Sequence, residues 1–101
     1  MLDKIVRRFE IGKRSLEIRK EFDDLGYETI FSVLREDQLV HAIELAEELY
    51  DLTVELREIY RKSKDTKSMR VCDTNLSDIE KAIWNLKQDY ELGCYLPAKQ
   101  K

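Results

Sequence analysis

Three glycines, one proline and two cysteines are all that this chain of 101 residues offers of the residue types that punctuate loops or staple small folds. So few turn formers argue against a many-stranded sandwich or barrel. Cys72 and Cys94 are too few for a disulfide framework and form no C-x-x-C pair, so the expectation is two reduced thiols without a chemical role. His41 is the single histidine, which removes any histidine-based metal cluster and leaves a Ser-His-Asp triad no second histidine to draw on. No apolar run approaches the ~20 residues that cross a bilayer, and Met1-Leu2-Asp3-Lys4 leads into charge rather than an apolar leader core. The expected location is the cytoplasm, with no membrane partner. The net charge of −3 arises from interspersed signs, not from a basic block or an acidic tail.

What the chain does have is 43 % apolar and 39 % charged residues, rich in Leu, Glu, Lys and Arg. This is too apolar for a disordered tail and suits long helices with wet outer faces. The clearest element spans about 38–62. Leu45, Leu49, Leu52, Leu56 and Ile59 recur at 4-3-4-3, which aligns all five on one seam. Leu39, Ile43, Ala46, Tyr50 and Val54 form a second stripe beside it, so this helix is central and has neighbours on two sides. Asp37 is placed to cap its start.

Around this centre the expectation is an all-α fold, a small helical bundle in which residues 1–96 form one domain and residues 97–101 fray beyond Pro97. Tyr27, Ile30, Phe31 and Leu34 follow the spacing of a short helix after Gly26. In the first 25 residues, Leu2, Ile5, Phe9 and Leu16 fall on one side of a helix. Ile11, Ile18, Phe22 and Leu25 fall nearly opposite, a split of little use to a single surface helix. A break at Gly12 resolves it. So does a β-hairpin over about 9–18 with the turn Gly12-Lys13-Arg14-Ser15; helices are the preferred reading because Glu, Lys and Arg fill the positions between.

Residues 63–75 lack periodicity and read as a loop. Ser77-Asp78-Ile79-Glu80 then has the form of a capping box opening a C-terminal helix with core face Ile79, Ile83, Leu86 and Tyr90, flank residue Trp84, and Gly93 at its end.

Glu47-Glu48-Leu49-Tyr50-Asp51 contains E-E-x-x-D on a helix, where acidic residues three apart project together and supply the hard oxygens that Mg²⁺ prefers. This segment resembles the metal-binding motif of the MazG-like all-α nucleotide pyrophosphohydrolases. The resemblance implies a magnesium-dependent enzyme with a second acidic element upstream, for which Glu21-Phe22-Asp23-Asp24 stands in place of the family's E-x-x-E. Basic residues cluster at Arg7, Arg8, Lys13, Arg14, Arg19 and Lys20, and again from Arg61 to Arg70, which raises a nucleic-acid-binding regulator as a further alternative.

The favoured expectation is neither of these. It is a small protein-binding regulator or inhibitor, not an enzyme and without cofactor or metal, that works through a helical interface as a homodimer and engages a further, unidentified protein. Short, charge-rich, motif-free chains of phages and other mobile elements supply the analogy. The interface residues expected are Leu45, Leu49, Leu52 and Leu56 on the central seam, with Trp84, Tyr90 and Tyr95 as aromatic anchors.

Overall fold

In the computed structural model, which describes residues 2–25 and 34–96, the described residues form a bundle of three helices: α1 (Leu2–Leu25), α2 (Glu36–Lys62) and α3 (Thr66–Glu91). The short helix expected over 27–34 and the tail at 97–101 lie outside the described residues, although Leu34 itself is described and is not helical. α2 is the middle member and packs along both α1 and α3, as its two stripes predict.

α1 runs unbroken through Gly12, so neither the break nor the hairpin over 9–18 forms. Tertiary packing decides this. Ile11 and Ile18 are both fully buried and lie seven residues apart, two helical turns, so both reach α2 when the helix continues between them. Arg7 and Arg14 share that spacing and clasp Glu55 and Glu48 of α2. These contacts on both sides of Gly12 offset the ~1 kcal/mol that glycine costs inside a helix.

α2 begins slightly before the expected boundary. Asp37 does not cap it: the N-cap is Arg35, whose backbone N–H donates to the Gln38 side chain at 3.0 Å, and Asp37 sits in the first turn paired with the Arg35 guanidinium at 3.2 Å. The end of α2 is a Schellman motif without glycine. Lys64 takes a left-handed φ of 60°, its N–H donates to the Arg61 carbonyl at 3.1 Å, and the Asp65 N–H donates to the Tyr60 carbonyl at 2.9 Å.

The loop expected over 63–75 is therefore only a short link, and α3 begins at Thr66. Its cap is Asp65, which accepts from the Ser68 backbone N–H at 3.1 Å and from the Ser68 hydroxyl at 2.7 Å. Ser77 is an exposed residue inside α3 and caps nothing. The far end does follow the glycine signal: Gly93, at φ 71°, closes α3 while the Cys94 N–H donates to the Asp89 carbonyl at 2.8 Å.

Two linked groups make the core. Leu34, Leu39, Ala42, Ala46 and Leu86 fill one end, with Phe22, Leu25, Ile43, Ile83 and Tyr95 around them. Ile18, Leu45, Leu49 and Ile79 fill the middle. Each fully buried Ile or Leu contributes about 1.5–3 kcal/mol through removal of apolar surface from water. After α3 the chain returns to the start of α2, where Leu96 donates to the Leu34 carbonyl at 2.8 Å and accepts from the Glu36 N–H at 2.9 Å. Three helices side by side make a long body, 51 × 24 × 19 Å, with a radius of gyration of 15.8 Å against the ~13 Å typical of 100 residues. Much helix surface consequently stays uncovered.

Candidate protein-binding surface

The central seam is largely used within the chain. Leu45 and Leu49 are buried against Ile18 and Ile79, and Leu52 and Leu56 are half-buried. The aromatic residues divide differently. Trp84 is 63 % exposed, Tyr90 is exposed, and Tyr95 is half-buried with its ring stacked on Tyr90 at 5.6 Å between centroids. Leu45 and Leu49 thus belong to the α1–α2–α3 core, while Trp84 lies beside a separate outer groove.

A second uncovered surface lies on α1. Ile5, Val6, Phe9 and Leu16 are 61 %, 52 %, 80 % and 70 % exposed, although Ile11 and Ile18 on the same helix are sealed. The two sets point in nearly opposite directions, because 5, 9 and 16 keep the 4-then-7 spacing of one stripe while 11 and 18 keep that of another. The sequence carries this split in full. An apolar outer stripe suits a continuous helix only when something covers that stripe. Gly12 lies within the stripe, between Phe9 and Leu16, and a methyl group built there would meet open space.

Ion pairs along the α1–α2 seam fix this orientation. Arg14 donates from Nε and Nη2 to the two carboxylate oxygens of Glu48 at 2.6 and 2.9 Å, and Arg7 holds Glu55 in the same forked manner. Both glutamates are held below the usual carboxylate range, chiefly by these hydrogen bonds. Arg8 lies over the Tyr60 ring at 5.0 Å from its centroid.

These contacts bear on the acidic and basic alternatives. Glu48 is taken up by Arg14, and Glu47 faces Lys87 at 3.6 Å, so two of the three acids of E-E-x-x-D are already engaged by cations. Among the described residues, no three acidic, histidine or cysteine side chains converge in a metal-holding group. Of the basic residues, Arg7, Arg14 and Arg61 are committed to carboxylates, with Arg61 bound to Glu58 one turn away.

Ile5 and Phe9 of the stripe line a cleft with Leu56 and Tyr60 of α2, and two further grooves lie away from the stripe. One of about 560 Å³ runs between α1 and α3 over α2, floored by Phe22, Ala46, Leu49 and Ile79, with Arg19 and Asp78 at its edges. The second, about 440 Å³, lies between α2 and α3 and is lined by Glu47, Tyr50, Asp51, Glu80, Ile83, Trp84 and Lys87. There the Tyr50 hydroxyl donates to Glu80 at 3.0 Å, and this bond holds the phenol proton more tightly than usual. No helix among the described residues is long and apolar enough to cross a membrane.

Comparison of the chain with known protein families, curated protein sequences and solved structures finds no match.

Proposed function

We propose that this chain is a small protein-binding regulator or inhibitor rather than an enzyme, working in a reducing cytoplasm through a helical interface, with self-association as its simplest assembly. The observation that carries the reading is the outer stripe of α1. Ile5, Val6 and Phe9, with Leu16 two turns further on, leave apolar side chains facing water on a helix already anchored by its opposite side. Strips of this kind on small proteins mark contact surfaces, and amphipathic faces with anchors at i, i+4 and i+11 suit helix-on-helix recognition. Phe9 is the natural anchor, being a large ring that loses few rotors on burial.

A pull-down from the native host tests this, using the wild-type chain and a Phe9→Asp/Leu16→Asp variant as parallel baits, with mass spectrometry of what is retained. A partner held by wild type and lost by the variant supports the reading. A partner held equally by both moves the interface off α1, and retention of nothing by wild type removes the target-binding claim.

A further inference from the structure

We propose that the α1 stripe of one copy docks on the acid-rimmed Trp84 groove between α2 and α3 of a second copy, in a head-to-tail contact. This rests on the binding role given to α1 above and names the occupant of its outer face. The case is one of complementary charge around complementary apolar surface. Of the charges flanking the stripe, Lys13 and Lys20 are exposed and make no ion pair among the described residues. Of the nearby acids, Glu10, which lines the stripe beside Lys13, lies 3.7 Å from Arg7 and Glu17 lies 3.3 Å from Arg14, while Asp3 and the pair Asp23 and Asp24 stand at the two ends of the stripe.

The groove has the opposite character. Trp84, 63 % exposed, and Ile83 line it, and Glu47, Asp51 and Glu80 rim it against the single lining cation Lys87, itself paired with Glu47. Glu44 is exposed one turn before Glu47 and extends the acidic edge. No α1 residue lines this groove, so its own chain does not fill it through that helix. Lys13 and Lys20 are seven residues apart, as are Glu44 and Asp51, so each pair spans about 10.5 Å of helix and the two can face each other in register.

A symmetric pairing of α1 with α1 is disfavoured by the same charges. An antiparallel crossing at Gly12 would bring Lys13 against its own copy, and like charges across an interface weaken it. The head-to-tail contact avoids this and leaves one stripe and one groove open on every dimer, the mark of a heterologous interface.

Charge reversal with mixing tests the arrangement. Lys13→Glu/Lys20→Glu makes the stripe acidic, and Glu44→Lys/Asp51→Lys makes the groove edge basic; all four positions are exposed. Circular dichroism melts confirm that both variants fold like wild type. In sedimentation at low ionic strength, each variant alone is expected to associate about tenfold or more weakly than wild type. An equimolar mixture is expected to regain wild-type association, because acidic stripe then meets basic groove and basic stripe meets acidic groove. Mixing without recovery, while wild type associates, overturns the head-to-tail contact and leaves α1-mediated binding standing. A wild type that stays monomeric also overturns it, and the pull-down with the Phe9→Asp/Leu16→Asp bait then decides separately whether α1 binds another protein.

Discussion

Arg14 and Glu48 face each other across the α1–α2 seam as a two-pronged pair, Nε to Oε2 at 2.6 Å and Nη2 to Oε1 at 2.9 Å, and Arg7 and Glu55 repeat the arrangement two turns away. Both carboxyls sit below their ordinary value of 4.5 because the guanidinium hydrogen bonds favour the charged form. A carboxylate with a lowered folded-state value adds stability that is complete above its unfolded value and lost as the pH falls through the lower one. The melting temperature should therefore hold above about pH 5 and drop below about 4.5. A Glu48→Gln/Glu55→Gln variant should show a flatter drop. All four side chains are more than a third exposed, so added salt should shrink the difference between the two proteins. Melts from pH 3 to 7 at two salt concentrations, values chosen to bracket the carboxylate range, check this.

The helix caps make a sharper contrast. Asp65→Ala removes the acceptor for the Ser68 N–H and should cost about 1 kcal/mol. Ser77→Ala, which the local sequence marks as the cap, should be neutral or slightly stabilising, because Ser77 is an exposed mid-helix position and alanine is the better helix former. Lys64→Gly should stabilise by roughly 0.5–1 kcal/mol, since glycine occupies φ 60° without the side-chain clash. Chemical denaturation of the three variants reads all of these.

The two thiols should differ in reactivity. Cys72 is buried in α3, and burial pushes its thiol up from the ordinary range, whereas Cys94 is exposed after the end of that helix. An alkylating reagent on the native protein should label Cys94 rapidly and Cys72 only after denaturation. Equal native rates would mean that α3 opens readily around Cys72.

Much of the bundle is legible in the sequence. The seam through Leu45, Leu49, Leu52 and Leu56 locates α2 and its two neighbours, and Gly93 locates the end of α3. The start of α3 is hidden for physical reasons. Its stripe runs back from Ile79 through Leu76, Cys72 and Met69 at 3-4 spacing, but the intervening Lys, Thr, Ser and Arg mask it, and the preceding helix ends on a left-handed lysine where glycine is the usual signal. Ser77-x-x-Glu80 has the form of a cap without the role, since Asp65 already satisfies the helix start. For the binding surface, the residue pattern of α1 is visible in the sequence. Which side of α1 would be buried depends on Arg7, Arg14 and Ile18 meeting Glu55, Glu48, Leu45 and Leu49 of α2, contacts across 27–48 positions that local pattern does not encode.

The two faces of α1 should accordingly separate in mutation. Ile18→Ala removes a fully buried side chain and should cost about 2–5 kcal/mol. Leu16→Ala, two residues away on the opposite face, should cost less than about 0.5 kcal/mol in the monomer. Urea titrations of dilute protein give both numbers.

The most direct test of α1 as a binding face is sedimentation equilibrium of wild type beside Phe9→Asp/Leu16→Asp, over a concentration range reaching tens of micromolar. The expected result is a wild-type mass rising above 12.1 kDa with concentration, and a variant that remains at monomer mass with unchanged helical content and melting temperature. A wild type that stays at 12.1 kDa throughout, or a folded variant that associates as strongly as wild type, would contradict the claim that the outer stripe of α1 mediates self-association.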